Sequence, residues 1–328
     1  MSELHKFLFE GLPVRGILVR LTDAWTEIQQ RRAQSTTGAY PQPVQALLGE
    51  MVAAAALMQS NIKFNGALVL QIFGDGPVKL AVAEVQSDLR LRATATLSGE
   101  VPPEAHLAAL VNAHGQGRCA VTLDPQDRLP GQQPYQGVVP LQNPDDHPAQ
   151  SIAQALQLYM RQSEQLETTL VLAADDKVAA GLLIQRLPIE GMGNLAGQNP
   201  AEAEQYEAEM YEHYNRIATL AGSLKPQELL SWDVETLLRR LFWEETLQRF
   251  EPHAGASAPR FACTCSRERV SSMIRGLGSV EAHEILAERG VVLVDCDFCG
   301  AHYRFDEIDV AQLFTTAQDQ PPSSFSVQ

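Results

Sequence analysis

The order of hydrophobic and polar positions in the first half of the chain predicts short strands around one long buried helix. Residues 89–96 alternate Leu or Ala with Arg or Thr, and this period of two indicates a strand with one face in water. The apolar runs at 67–73 and 78–85 are separated by Gly, Asp, Gly and Pro at 74–77, which is typical of a tight turn. Residues 44–58 are apolar on nearly every side of a helix, so we expect this helix to be buried.

The other elements of this region also follow one another through turns. Further strands are predicted at residues 5–10, 14–21, 118–123, 136–141, 168–173 and 178–186, and further helices at 23–31, 103–113 and 149–162. Thr22 or Asp23 is expected to cap the helix at 23–31, because a side-chain oxygen at this position can accept a backbone N–H. Consecutive strands joined by turns favour an antiparallel α+β fold over a doubly wound parallel sheet.

The composition changes near residue 189. Residues 190–200 are rich in Gly and Asn and indicate a boundary. The helix predicted at 201–221 has five glutamates between Glu202 and Glu212. Its apolar stripe, at helical spacing, is Tyr206, Met210, Tyr214 and Ile217. This helix and a second one near 230–241 are either a packed amphipathic pair or a linker that is helical only while docked, since its like charges repel. The sequence leaves both interpretations open.

The chain is acidic, and its negative charge argues against partners that are themselves negatively charged. It has 328 residues, 25 Lys and Arg against 40 Asp and Glu, and a net charge of −15. Nucleic acids and anionic membranes bind proteins through Lys and Arg, so we expect neither as a partner. No apolar run is long enough to span a bilayer, and the first residues lack the basic and apolar regions of a secretory signal. We therefore expect a cytoplasmic protein.

Four of the five cysteines form two pairs near the C-terminus. Cys263 and Cys265 stand one residue apart, Cys296 and Cys299 stand two residues apart, and thirty residues separate the pairs. Four converging thiolates match a tetrahedral zinc site with Zn–S distances of about 2.3 Å. Such a site has no open position for a metal-bound water, so we do not expect hydrolytic catalysis. The sequence also contains no motif of a serine hydrolase, zinc protease or P-loop enzyme.

Other residues near the pairs have a structural and a functional interpretation. His283 and His302 are candidate alternative ligands or partners of the ligands, but packing or surface roles are preferred because four sulfurs already complete the coordination shell. Arg260, Arg267 and Arg269 lie close enough in sequence to favour charged thiolates. Cys119, on a predicted strand, is expected to be a buried structural thiol.

The cysteine module has two possible roles. It is either a staple for a domain with too small a core, or a redox switch in which oxidants attack zinc-bound thiolates. Oxidation is expected within each pair, because each pair closes a very small loop, and the loop of Cys263 and Cys265 should be strained. Loss of zinc would remove on the order of 10 kcal/mol of folding free energy. A thiol–disulfide oxidoreductase is the third hypothesis.

The chain resembles a known family along residues 3–314. The C-terminal motif is Phe-x-Cys-x-Cys-Ser-Arg-Glu-Arg at 261–269, then Leu-Gly at 277–278, then Cys-x-Phe-Cys-Gly-x-x-Tyr-x-Phe at 296–305. Further similarities are Arg15-Gly16, Gly49-Glu50, Lys63-Phe64-x-Gly66 and the Gly-Asp-Gly-Pro turn at 74–77. This pattern is similar to that of the 33 kDa chaperonins, the heat shock protein 33 family of redox-regulated chaperones. The loop at 124–134 and the residues after Phe314 match no motif of that family.

The resemblance implies a cytoplasmic, ATP-independent holdase rather than an enzyme. It implies a reduced, zinc-bound, inactive form and an oxidised form with Cys263–Cys265 and Cys296–Cys299 disulfides, released zinc and an unfolded linker. The oxidised form would be a homodimer that binds unfolding client proteins and later passes them to ATP-dependent foldases. The fold implied is a layered β/α/β core with a buried central helix, a helical linker and a small zinc module. The expected division is a client-binding and dimerisation core at 1–188, a linker at 189–250, a zinc-binding domain at 251–314 and a disordered tail at 315–328.

Overall fold

The computed structural model of the protein describes residues 1–127, 131–143, 147–188 and 200–315, and it divides into two compact units, Met1–Ala262 and Cys263–Gln328. The strands of the first unit are β1 (Glu3–Phe9), β2 (Val14–Leu21), β3 (Gly66–Phe73), β4 (Val78–Gln86), β5 (Arg90–Leu97), β6 (Arg118–Pro125), β7 (Tyr135–Pro140), β8 (Thr168–Ala174), β9 (Ala179–Arg186), β10 (Leu247–Arg249) and β11 (Arg260–Phe261). Its helices are α1 (Asp23–Ala33), α2 (Gln42–Asn61), α3 (Leu107–Val111), α4 (Ile152–Ser163), α5 (Pro200–Gly222), α6 (Pro226–Ser231) and α7 (Val234–Leu241).

The strands of the first unit form two sheets. A five-stranded sheet has the order β10-β1-β2-β9-β8 and is antiparallel throughout. A six-stranded sheet has the order β11-β5-β4-β3-β6-β7, in which only the short β11–β5 pair is parallel. The predicted antiparallel α+β fold is therefore confirmed.

Helix α2 is the buried centre of this unit. It contacts strands of both sheets, including β4, β5, β8 and β9. Its residues from Met51 to Leu57 are completely buried, as expected for a helix that is apolar on every side. Gly49 permits the close approach, because a Cβ atom there would lie 2.4 Å from the Cβ of Ala174. The layered β/α/β arrangement expected from the family resemblance is thus present.

The opposite face of the five-stranded sheet is covered by α5, α6 and α7. This second core contains Phe7, Phe9, Val14, Leu18, Leu182 and Ile184 from the sheet, and Tyr214, Ile217, Leu229, Leu237 and Leu241 from the three helices. The ring of Phe242 lies edge-on to that of Phe9, with centroids 5.0 Å apart. Both faces of β2 and β9 are therefore buried, which explains their nearly continuous apolar sequences.

Two local expectations were wrong. Neither Thr22 nor Asp23 caps α1 with its side chain; the hydroxyl of Ser2 instead accepts the N–H groups of Thr22 and Ala24 at 3.1 and 3.2 Å. The helix expected at 103–113 is limited to α3. It ends because the Asn112 side chain donates to the carbonyl of Leu141 at 2.9 Å and accepts the N–H of Gly117 at 2.8 Å.

Two short strands, β10 and β11, were absent from the sequence prediction. Phe7 pairs with Arg249 across β1 and β10, and Leu91 pairs with Phe261 across β5 and β11. Each of these strands forms because it pairs with a strand that is distant in sequence. A run of two or three residues is too short to show the alternation by which a strand is predicted. Residues 251–262 consequently belong to the first unit, and the four-segment division stays a prediction.

The second unit is small. It contains α8 (Arg267–Leu277), α9 (Ser279–Arg289), β12 (Val292–Asp295), β13 (His302–Phe305) and α10 (Glu307–Phe314), with β12 and β13 antiparallel. Its buried core consists of Val270, Ile274, Ala282, Val292, Phe305 and Val310. A core of this size is marginal for independent folding without a further cross-link or metal.

Some expectations concern parts of the chain that lie outside the described residues. These are the boundary at 190–199 and the tail after residue 315. Within the described ranges, no helix combines the length and apolarity required to cross a membrane.

Glu50 on α2 provides the first testable prediction. It lines a cavity together with Glu104 and His106, and burial raises its pKa from 4.5 to about 7. Between these pH values the folded chain keeps a proton that the unfolded chain releases, so the stability conferred by the neutral carboxyl is complete below pH 4.5 and is lost as the pH rises through 7. Glu50→Gln should remove this loss and stabilise the protein at pH 8 by up to about 3 kcal/mol.

Urea unfolding of the reduced protein between pH 4.5 and 8 measures this effect. The matched control is Glu104→Gln, which removes an exposed carboxylate at the same cavity and should retain the pH dependence of the wild type. If the free energy of unfolding of Glu50→Gln depended on pH as strongly as that of the wild type, the raised pKa of Glu50 would be contradicted.

Candidate metal centre

The two cysteine pairs are held by different local structures in the second unit. Cys263 and Cys265 immediately precede α8, whose N-terminus is capped by the side chain of Ser266. Cys296 follows β12 in a turn where its N–H donates to Ala301 at 2.9 Å and its carbonyl accepts the N–H of Gly300 at 2.7 Å. Gly300 has φ of 69°, a left-handed conformation that favours glycine. This turn leads the chain back into β13.

The four cysteines converge, as the sequence predicts. All four Sγ atoms lie within 4.8 Å of one another. The Sγ atoms of Cys263 and Cys296 are 3.6 Å apart, and those of Cys265 and Cys299 are 3.3 Å apart. A tetrahedron with metal–sulfur bonds of about 2.3 Å has sulfur–sulfur edges of about 3.8 Å. The cluster therefore has the size and the donor set of a four-thiolate metal site, and it can bind a metal ion.

The short contacts do not select a disulfide pairing. Each joins a cysteine of one sequence pair to a cysteine of the other, whereas the expected bonds are Cys263–Cys265 and Cys296–Cys299. None of the four cysteines forms a disulfide in the structure. Because all four sulfurs are within 4.8 Å, both pairings are within reach of small movements, and the expected one stays a prediction.

The surroundings of Cys296 and Cys299 favour the protonated form of these two thiols without a cation. The hydrogen bond with Cys263, followed by burial, raises the pKa of Cys296 far above its usual value. Burial is the main reason that the pKa of Cys299 is raised to about 11. A bound cation reverses this preference because metal ligation requires thiolates. Metal binding at this site should therefore release protons.

Tyr303 contributes a contact that the sequence did not reveal. It was predicted as a core aromatic residue, and it is partly buried against the small core. In addition, its hydroxyl donates to the Sγ of Cys265 at 3.1 Å. This hydrogen bond is the main cause that raises the pKa of Tyr303 to about 12. A donor at this position stabilises negative charge on the sulfur. The only sign of this contact in the sequence was the position of Tyr303 two residues before Phe305 on β13. That spacing is equally typical of a core residue, so it did not predict the hydrogen bond.

The three arginines expected to support the thiolates contact other groups. Arg260 belongs to the first unit and pairs with Asp88 at 3.2 Å. Arg267 pairs with Asp309 at 2.8 Å and stacks over the ring of Phe305. Arg269 donates to the hydroxyl of Thr264 at 2.7 Å, and so contacts the residue between the first two cysteines. Arg269 therefore positions the first pair, and Arg267 stabilises the small core.

Neither nearby histidine joins the cluster. His302 lies against Asp295, with 2.6 Å between Nδ1 and Oδ1, and the Nδ1 of His283 is 2.6 Å from the carbonyl of Ser279. In the described residues, the four cysteines are the whole group of potential metal ligands at this site. Cys119 lies apart on β6, where burial raises its pKa to about 12, as expected for a structural thiol.

The fold and this site together define a class of protein: an α+β core with a buried central helix, followed by a small unit in which four clustered cysteines could bind a metal ion. The model of the Hsp33 protein family matches residues 2–306. The chain belongs to the Hsp33 family, and this membership supports a chaperone function.

Similar proteins agree with this assignment. The chain is 43% identical to a 33 kDa chaperonin of Chromobacterium violaceum, over 95% of this chain and 94% of that protein. It is 42% identical to a 33 kDa chaperonin of Methylobacillus flagellatus, over 96% and 95% of the two chains. The crystal structure of a 33 kDa chaperonin from Thermotoga maritima has a TM-score of 0.69 at 22% identity, over 95% of this chain and 98% of that one, and it supports the fold alone.

We expect the reduced protein to bind one thiophilic metal ion per chain. Cys299→Ser should lose most of this metal, because a hydroxyl is a poor ligand for such ions. Cys119→Ala should retain it, since Cys119 lies in the first unit. Mass spectrometry of metal content, together with proton release on metal addition, measures both effects. Full metal content in Cys299→Ser would contradict the four-cysteine site.

Tyr303→Phe tests the hydrogen bond to Cys265. It removes the donor but keeps the ring, so the metal affinity should fall about tenfold, which is typical of losing a partner of a metal ligand. Competition with a chromogenic chelator measures the affinity. Tyr206→Phe, the same change in the first unit, should have no effect, and an unchanged affinity in Tyr303→Phe would show that the hydrogen bond has no role in metal binding.

Proposed function

We propose that this protein is a redox-regulated, ATP-independent holdase that is inactive with zinc bound and active when oxidised. Family membership supports the chaperone part, and the cluster of four cysteines, none of them in a disulfide, supports the regulatory part. The single observation that carries the proposal is that these thiols converge at the spacing of a zinc site, in a unit whose described residues provide a core of six buried apolar side chains.

Zinc would be held by Cys263, Cys265, Cys296 and Cys299. Zinc keeps the sulfurs as thiolates, which are the form that peroxide and hypochlorite attack. Each pair of thiolates gives two electrons to one hydrogen peroxide molecule. The O–O bond breaks, two protons are taken up, two water molecules form and one disulfide remains. Two peroxide molecules would thus oxidise the four thiolates, and the four sulfurs would no longer hold zinc, because disulfides are poor ligands.

Loss of the metal is proposed to unfold the second unit. Structural zinc supplies on the order of 10 kcal/mol of folding free energy. A six-residue core has no comparable reserve. The cysteine cluster therefore acts as the sensor, and no catalytic residue is assigned.

The client-binding surface is proposed to be the face of the five-stranded sheet under α5, α6 and α7. These helices cover Phe7, Phe9, Leu182 and other apolar residues of the sheet. Their departure would expose a continuous apolar surface, which is the kind of surface that binds unfolding chains. We propose that linker release follows oxidation, that the oxidised form is a cytoplasmic homodimer, and that clients pass later to ATP-dependent foldases.

Hydrogen peroxide at heat-shock temperature should release one zinc ion per chain and start the suppression of client aggregation. Amide exchange across residues 201–241 should rise at the same time, because the linker helices leave the sheet. A chromogenic zinc reporter, light scattering of a denaturing client and exchange mass spectrometry measure the three events. Disulfide mapping should find bonds between Cys263 and Cys265 and between Cys296 and Cys299.

The controls separate this proposal from its alternatives. Cys119→Ala should respond like the wild type. Equally strong aggregation suppression by the reduced protein, or retention of zinc after oxidation, would refute redox activation. Catalytic turnover of small disulfides by metal-free protein would favour a thiol–disulfide oxidoreductase instead.

A further inference from the structure

Arg20 makes an unusual set of contacts between the sheet and the helices that cover it. Its Nη1 donates to the carbonyls of Leu229 and Trp232, each at 3.1 Å, and its Nη2 donates to the carbonyl of Leu230 at 2.7 Å. Arg20 lies on β2, and the three carbonyls lie at the C-terminal end of α6. One guanidinium of the sheet therefore binds three backbone groups of the linker.

These carbonyls depend on an external partner. The last carbonyl groups of a helix have no partner within the helix, and they form its negative end. An arginine at this position supplies both hydrogen bonds and the favourable charge. Helix α6 has six residues, far fewer than an isolated helix needs in water. Its position is therefore determined by what holds it to the sheet.

A second arginine of the sheet provides a useful contrast. Arg186 on β9 pairs with Glu207 of α5 at 3.2 Å, and the Glu207 side chain is 53% exposed. Exposed ion pairs contribute little and weaken as salt rises. The three described partners of Arg20 are neutral carbonyls, and carbonyls are fixed in the backbone. The contact of Arg20 should thus persist in salt that weakens the contact of Arg186.

We propose that Arg20 is the positioning residue that holds the linker against the five-stranded sheet. It acts by binding the C-terminal carbonyls of α6, and it sets how readily the linker leaves the sheet. The regulatory consequence rests on the proposed function, in which departure of the linker exposes the client-binding surface. The docking role rests only on the contacts of Arg20, and the two can be tested separately.

The experiment compares amide exchange in the reduced, zinc-loaded full chain of three variants. Arg20→Gln removes the planar donor group, and exchange of the amides at 226–241 should accelerate roughly ten- to hundredfold, the range for hydrogen bonds to a charged group. Arg20→Lys keeps the charge but not the fork, and should lie between Arg20→Gln and the wild type. Arg239→Gln makes the same change in charge at an exposed position of α7, and should match the wild type.

Added salt distinguishes the two arginine contacts. Raising NaCl from 0.05 to 0.5 M should accelerate exchange in α5, whose ion pair with Arg186 is screened, more than exchange at 226–241. Exchange of β3 and β6, in the other sheet, reports whether a variant is globally unfolded. If Arg20→Gln also loses protection in β3 and β6, that variant is globally unfolded, and the docking role is then judged from Arg20→Lys alone.

Two results would overturn the docking role. One is protection at 226–241 within twofold of the wild type in both Arg20 variants. The other is an equal loss of protection in Arg239→Gln. A chaperone assay then tests the proposed function. Reduced Arg20→Gln should suppress client aggregation without peroxide. If its linker opens and it remains inactive, the assignment of the client surface is wrong while the role of Arg20 stands.

Discussion

The five-stranded sheet is apolar on both faces, and the rest of the structure follows from the need to cover both. One face is covered by α2, which is completely buried from Met51 to Leu57 and contacts strands of both sheets. The other is covered by α5, α6 and α7. The two covers differ in their attachment. Helix α2 is enclosed by two sheets, whereas the outer helices have the solvent on their far side. Loss of the outer helices would leave α2 with its contacts to both sheets.

The second unit differs from the first in having little apolar burial and a cluster of four cysteines. The six buried apolar residues described in this unit provide little hydrophobic stabilisation. The pKa values of Cys296 and Cys299 are raised, and each of these thiols is hydrogen-bonded to a cysteine of the other pair. A metal ion would convert this unfavourable cluster of neutral thiols into the strongest interaction of the unit. A unit that depended on one bound ion for its stability would be suited to sensing whatever removes that ion. In its described residues, the first unit has no comparable group of potential metal ligands.

The sequence was informative where the signal is local. The spacing of Cys263, Cys265, Cys296 and Cys299 predicted their convergence, and the all-round apolar character of 44–58 predicted the buried helix. It failed where a residue is determined by a distant partner. Ser2 caps α1 across the chain, β10 and β11 exist through pairing with β1 and β5, and Tyr303 donates to Cys265. Each of these contacts is made by an atom whose partner lies at least twenty residues away, and no periodicity records such a partner.

Arg20 extends this reasoning to the linker. In the sequence it is one polar residue on a strand that is otherwise mostly apolar, and an exposed edge would be the ordinary interpretation. In the structure its partners are three backbone carbonyls. Every residue type has the same backbone carbonyl, so the sequence gives no sign of such a partner. The acidic composition of the linker suggests docking through ion pairs, but glutamates in α5 such as Glu207 are largely exposed. The contacts of the linker with the sheet are therefore mainly apolar burial and backbone hydrogen bonds. In the proposed released state, mutual repulsion of the glutamates would oppose refolding of α5.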